Sequence, residues 1–541
     1  MRSRFLIGVV ALSLVAAACG GDDDSASDTT TASTTATSGG SATTAAADEG
    51  CTAERKGGEV TWGTTGTLAR GIDPTVALGS VSSGGVEMAA VFDTLMRFDS
   101  KTGEFVPQVA ESLTPSDDLK TWTLKLRPDV TFGSGAPLTA DVVKYNVERI
   151  AKSSVSESGQ AQLISSMTVV DPLTLTLQLS VPWGSLPYLF SRSGGMMVDP
   201  AVVQAKGDQF ALDPAGAGVG PYEVERFAPN EELVLKAKDD YWGGPVCIQT
   251  LRFTAISGAQ AAYDAFKLGE VDMAWFTGPA VVAQARADKA NGVFNVAGGA
   301  PSVLLLNAGR GTNPLFADVR VRQAVAKAMD LDLLNQRVAD GQGIFTSRII
   351  PEGNLFDPGV DGIKYDPSGA KALVSQVKAD GWDGKVTLTL ANDPETVERG
   401  ITIKALLEAV GMAVTVENLP AADMNQKVLI EGNYQIGQGN LLLFPSALAW
   451  QRLNQFEGGN ARNRTGIDDP DLDAALMKLQ LAVTADDTTE AMGEVQTAWN
   501  KAVPAAIISA SEYMTAVDPS IKGVLYSADT MPLFFDAYVE S

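Results

Sequence analysis

The chain has 541 residues, a formal net charge of −24 at pH 7 and no histidine. So acidic a surface is a poor partner for nucleic acid. Without histidine, Ser-His-Asp and Cys-His hydrolysis and histidine-ligated zinc or nickel centres are excluded.

Residues 1–18 have the parts of an export signal. Arg2 and Arg4 give a positive start, and Phe5 to Val15 is an apolar run too short to span a bilayer. Ala16, Ala17 and Ala18 then supply small side chains, and Cys19 follows directly. VAAAC resembles the lipobox of bacterial lipoproteins, which implies a diacylglyceryl group on Cys19 and cleavage before it. Residues 20–50 hold no aromatic, no large aliphatic and no Lys or Arg. They cannot bury enough surface to offset chain entropy, so a disordered acidic tether is expected over 19–54. No later segment reaches ~18 consecutive apolar residues, the length of a membrane span.

The remaining body is long enough for two or three lobes. Setting Cys19 aside leaves Cys51 and Cys247, an even number in an oxidising compartment. A disulfide pinning the start of the body is expected; two free thiols are the alternative.

In chain order, GEVTWG (58–63) reads as a strand, followed by a long loop. VEMAAVFDTLMRFD reads as a helix running into a short strand. LKTWTLKLRPDVTF alternates, with Trp122, Leu124 and Leu126 on one face. TADVVKYNVERI is an amphipathic helix with Thr139 as N-cap. SMTVVDPLTLTLQLSV gives two strands across an Asp-Pro turn, so 92–190 forms an α+β block. YEVERFAPNEELVLKAKDDYW is a hairpin. IQTLRFTAI, GAQAAYDAFKLG and EVDMAWF read strand, helix, strand, a right-handed crossover in a mixed sheet. From 302 to 510 come SVLLLN (strand), DVRVRQAVAKAMD (helix), KVTLTLA (strand), VERGITIKALLEAVG (helix), AVTVENL (strand) and the helix of DPDLDAALMKL. The tail holds further strand-like pieces.

Acidic pairs have structural readings. Asp117-Asp118 and Asp239-Asp240 suit turns. Counted from Asp469, a calcium loop needs Gly at position six and Glu at twelve, where the chain has Ala474 and Gln480. Helix capping explains Asp469 better. Gly216-Ala-Gly-Val-Gly220 is followed by Pro221 and an alternating strand, not by the helix a dinucleotide site needs. No catalysis and no cofactor are expected.

The stretch VFDTLMRFDSKTGEFVPQVAESLTPSDDLKTWTLKLRPDVTFGSGAPLTADVVKYNVERI resembles the family 5 extracellular solute-binding proteins. Four further blocks match in order: GVGPYEVERFAPNEELVLKAKDDYWGG, FKLGEVDMAW, PLFADVRVRQAVAKAMDLDLL and NRTGIDDPDLDAAL. The resemblance implies an α/β clamp of the class II periplasmic-binding type. Lobe I would comprise 55–91, 191–303 and 511–541, lobe II 304–510, with 92–190 an appended α+β domain. It further implies a lipid-anchored, extracytoplasmic monomer that captures a peptide-like or other small organic solute. The solute would pass to the permease subunits of an ABC importer in the cell membrane. A surface sensor or assembly protein using the same clamp, and a carboxylate-dependent hydrolase, are the alternatives. In the peptide-binding branch an aspartate of the cleft pairs with the peptide amine; Phe444 falls roughly there. A buried ammonium without a counter-charge is costly, which speaks against capture of the peptide N-terminus. Gln438, Asn440, Phe444, Trp275 and Phe276 are the expected ligand-binding residues, offering amide and aromatic surfaces to a neutral or apolar ligand. Asn307 is expected to fix the crossing backbone.

Overall fold

The computed structural model describes residues 50–64, 71–77, 79–288, 293–310, 315–441, 443 and 449–540. The signal, Cys19, the tether up to residue 49 and Phe444 lie outside the described residues. The described residues from 50 onward fall in a single unit.

The chain enters through β1 (Glu59–Thr64) and α1 (Gly85–Phe92). A four-stranded antiparallel sheet follows: β2 (Ala110–Pro115), β3 (Thr121–Leu126), β4 (Ile164–Asp171) and β5 (Thr174–Leu179), in the order β2-β3-β5-β4. α2 (Ala140–Ala151) crosses between β3 and β4. The alternation of β3 is realised, with Trp122, Leu124 and Leu126 buried against that helix and Lys125 exposed.

Next come the hairpin β6 (Tyr222–Ala228) and β7 (Glu232–Ala237), then β8 (Thr250–Ala255), α3 (Ala259–Lys267), β9 (Met273–Thr277) and α4 (Pro279–Asp288). The 216–220 glycines serve packing. A Cβ on Gly218 would lie 1.9 Å from the Val91 carbonyl oxygen, so only glycine lets this segment pass the end of α1.

The second half holds β10 (Val293–Leu306), α5 (Val319–Ala328), α6 (Leu331–Ala339), α7 (Pro367–Ala379), β11 (Lys385–Ala391), α8 (Pro394–Ala409), β12 (Ala413–Leu419) and β13 (Ile436–Asn440). It ends in α9 (Ala449–Leu453), α10 (Pro470–Leu481), α11 (Ala485–Ala502) and β14 (Ala505–Val517). Aspartates start five of these helices. Asp318, Asp330, Asp366, Asp393 and Asp469 each accept a backbone N–H of the first turn.

Ten strands form one mixed sheet in the order β12-β11-β13-β10-β14-β9-β1-β8-β7-β6. Its centre is narrow. β9 pairs with residues 513–517 of β14, and β13 pairs with 302–306 of β10. Among the described residues only β10 and β14 run through both halves, held to each other from Val293↔Val517 to Leu305↔Ala505. At this waist the β10–β14 register slips between Gly299 and Ser302 and again before Val303. Pro301 is the cause the sequence offers: a proline inside a ladder has no N–H to give, so the strands must bulge there. The sequence places the strand from Ser302; it begins nine residues earlier. Likewise β14 is one thirteen-residue strand where separate tail pieces are expected.

Separate apolar cores flank the waist. One packs β1, β7, β8 and α1 around Trp62, Phe92 and Phe253. Another packs β11, β12, α5 and α8 around Leu388, Leu407 and Val325. The four-stranded sheet shares a core with α10 and α11 through Trp122, Leu476 and Trp499. Cys51 and Cys247 are joined in a disulfide across 196 residues of sequence. Deep inside, Arg192 pairs with Glu157 at 3.0 Å and Asp529 at 2.7 Å, all almost fully buried.

Candidate functional site

A cleft of about 440 Å³ opens at the waist of the sheet, within the size range of small-molecule sites. Its floor is Ser302 of β10 and Ser509 to Glu512 of β14. A void beside Trp499 and Ile507 measures about 10 Å³, too small for a solute.

One wall comes from the end of β9 and the start of α4: Thr277, Gly278, Pro279 and Ala280. Gly278 takes φ +105°, letting the chain turn directly from strand to helix. Thr277 Oγ1 donates to the Glu512 carbonyl at 2.8 Å, tying this wall to the floor. Arg286 of α4 pairs with the Glu512 carboxylate.

The opposite wall is the loop after α6 with the first turns of α8. Asp340 is left-handed at φ +48°, and Asn335 grips Gly343 through both its amide atoms, at 3.0 and 3.1 Å. Ala510 N–H of β14 donates to the Ile344 carbonyl at 2.8 Å, anchoring the loop on the floor. In α8, Arg399 Nη2 donates to Thr396 Oγ1 at 2.8 Å and Nη1 stands 3.8 Å from Glu395. The Arg399 side chain is mostly buried and lines the cleft, with Glu395, Glu512 and Asp340 as the charges around it.

The residues singled out from the sequence distribute as follows. Trp275 stacks on Tyr513, ring centroids 5.8 Å apart and planes 15° from parallel. It lies two residues before Thr277, on the same face of β9 as the cleft wall. Its indole N–H is buried without a hydrogen-bond partner among the described residues. Phe276 points to the other face, fully buried against Tyr263, so it has no surface to offer a solute in this conformation. Asn440 lies opposite Ser302 in the β13–β10 ladder, at the edge of the cleft floor. Gln438 is occupied structurally, its Oε1 accepting the Ala391 N–H at 2.9 Å. Asn307 is fully buried, its Nδ2 bonded to the carbonyls of Arg310, Gly432 and Tyr434.

The lining therefore differs from the neutral, aromatic surface expected. Asp340, the Glu395–Arg399 pair of α8 and Glu512 converge from three segments more than 50 residues apart in sequence, and no local motif announces them. Only the APS run of Ala300-Pro301-Ser302 carries a local sign, the bulge.

Residues 104–462 match the family model for "Bacterial extracellular solute-binding proteins, family 5 Middle". The chain is 27% identical over 315 residues to the dipeptide-binding protein of Escherichia coli K12, covering 53% of this chain and 57% of that protein. It therefore spans little more than half the length of that relative. Over 434 residues it is 24% identical to a probable D,D-dipeptide-binding periplasmic protein, DdpA, of the same organism, covering 77% of this chain and 82% of that one. Among solved structures, HbpA2 from Haemophilus parasuis superposes with a TM-score of 0.75 at 18% identity, covering 89% of this chain and all of that one. The ten-stranded mixed sheet is thus a fold shared with that protein.

Proposed function

Because the chain belongs to the bacterial extracellular solute-binding proteins of family 5, we propose that it is the extracytoplasmic solute-binding component of an ABC importer. It takes a small organic solute of peptide-like character in the waist cleft and hands it to a membrane permease. The observation that carries this reading is the position of the cleft. It lies where the two halves of the sheet are joined by β10 and β14 alone.

Two strands bend more easily than ten. The halves then act as lobes, 55–91 with 191–303 and 511–541 on one side and 304–510 on the other, with 92–190 appended. A solute touching both walls binds the closed form better than the open one and shifts the equilibrium by that difference. The mixed charges of Arg399, Glu395, Asp340 and Glu512 suit a zwitterionic solute. A lipid on Cys19, directly after the export signal, holds the protein at the cell surface. The protein acts as a monomer and returns its solute unchanged.

The test is isothermal titration of the refolded chain against a panel of di- and tripeptides, with Ala280→Trp as the blocked variant. Ala280 is exposed on the cleft wall, so the indole fills the cleft without disturbing a core. One-to-one binding that Ala280→Trp weakens at least tenfold is the expected result. Binding that Ala280→Trp leaves unchanged would place the solute elsewhere. Consumption of the peptide would favour a hydrolase.

A further inference from the structure

Helix α10 is apolar on two faces. Leu472, Ala475, Leu476 and Leu479 are buried on its inner side. Ala474, Met477 and Leu481, spaced i, i+3 and i+7, are exposed on its outer side, and Val483 follows just past the helix end. Met477, Leu481 and Val483 are 46%, 40% and 42% exposed. The other exposed large apolar side chains among the described residues, Leu268, Ile401 and Ile430 among them, stand singly in the sequence. A helix apolar all round belongs in an interior, and the outer side of α10 has no cover.

A groove of about 400 Å³ runs beside these side chains, between α10 and α11. Leu481 with Lys478 forms one bank and Glu490 with Glu494 the other, over a floor of Ala482 and Ala491. The small floor residues leave room for a ridge of another element. Lys478 is neutralised by Glu494 at 2.5 Å. Asp486, Asp487 and Glu490 have no ion pair among the described residues. Asp486 and Asp487 lie in the first turn of α11, where acids favour the helix start. Glu490 lies beyond that turn and lines the groove. One bank is thus apolar and the other anionic.

The groove sits where lobe II meets the 92–190 block. Gly184 N–H donates to the Gln480 carbonyl at 2.9 Å, and Gln480 Nε2 donates to the Pro182 carbonyl at 2.6 Å. A Cβ on Gly184 would lie 2.2 Å from the Ala482 carbonyl oxygen. At the start of α11, Ala485 N–H donates to Glu104 Oε1 at 2.9 Å. A partner seated in the groove therefore sits over the joint between two parts of the clamp. Charge decides which partner. The chain's own tether holds six acids and no Lys or Arg over 20–50, so it is repelled, as is a second copy at −24. An anionic lipid surface is repelled for the same reason. A protein segment with both basic and apolar side chains complements both banks.

We propose that the α10–α11 groove is the docking surface for the permease of the importer, taking an extracytoplasmic segment that carries basic and apolar side chains. The inference rests on the solute-binding reading and adds to it the surface through which the loaded protein is received.

The test uses the full chain in the membranes of the cells that make it. A photoreactive phenylalanine analogue replaces Met477 and, as controls, the exposed Leu268 and Ile430. Light is expected to couple position 477 to a permease subunit, identified by mass spectrometry at a peptide bearing Lys or Arg, and the controls to capture none. The yield should fall as salt rises, because exposed charges are screened. Permease captured from a control and not from 477 overturns the surface and leaves the solute-binding reading standing. Capture of lipid or of a second copy from 477, or no capture there, also overturns it. The cross-link needs no solute, so it decides the surface even where the peptide panel binds nothing, a result that would reject the peptide-like solute instead. In a second arm, Glu490→Lys and Leu481→Ser should each lower dipeptide uptake by intact cells at least tenfold, while the dipeptide affinity and melting temperature of the purified chain stay as in the parent. Ile430→Ser should change neither uptake nor affinity. Uptake indifferent to Glu490→Lys and Leu481→Ser, or affinity lost in step with uptake, overturns the surface.

Discussion

At the scale of single residues, the buried charges are the sensitive points. Glu87 of α1 is almost fully buried, and desolvation pushes its carboxyl up to about 7. Between pH 4.5 and about 7 the folded protein keeps a proton on Glu87 that the unfolded chain releases. That contribution is complete below pH 4.5 and is lost as pH rises towards 7. Its size is on the order of 3 kcal/mol at one pKa unit per ~1.4 kcal/mol. Asp93, raised to about 6 for the same reason, adds in the same direction at lower pH. Glu87→Gln should therefore be more stable than the parent at pH 8 and flatter between pH 5 and 8, read by urea unfolding at both ends. Arg192 is the opposite case, a cation whose loss strands two buried anions. Arg192→Met should cost about 3–5 kcal/mol, and a midpoint shift too small to match would show that Glu157 and Asp529 take up protons instead.

At the scale of elements, local chemistry decided starts and stops. Asp-Pro pairs open α8 and α10, and the alternation of β3 decides which face meets α2. These are short-range effects, so sequence alone reveals them. The lengths of β10 and β14 were not legible, because each is set by partners on both sides. Glycine, alanine and proline at 298–301 suggest a break to a local reading, yet the ladder continues around the bulge. The disulfide belongs to this scale too. It staples the entry segment before β1 to the segment before β8 and closes 196 residues of chain. Cys51→Ala should lower stability by about 2–5 kcal/mol in unfolding experiments. Dithiothreitol should lower the parent by a similar amount and leave the variant unchanged.

At the scale of the whole molecule, the waist is the consequential feature. Closure about β10 and β14 predicts that saturating solute reduces the radius of gyration measured by small-angle scattering. Solute at ~100 times its dissociation constant should add about 2.7 kcal/mol of stability. For a chain of this size that is a melting shift of a few degrees or less. A shift in melting without a change in radius would mean that the solute is held by a protein already closed.

The family resemblance, the strand and helix pattern, and the exclusion of histidine chemistry were all present in the residues themselves. The strand and helix pattern and the exclusion follow from periodicity, capping and composition, which act over a few residues at a time; the resemblance is carried by its matching sequence blocks. The cleft lining was not. Arg399, Glu512, Asp340 and Ser302 are brought together by a sheet in which some neighbouring strands are more than two hundred residues apart. Charges in sequence have no partner until the chain folds, so only the tertiary structure decided which of them meet at the cleft and which pair elsewhere.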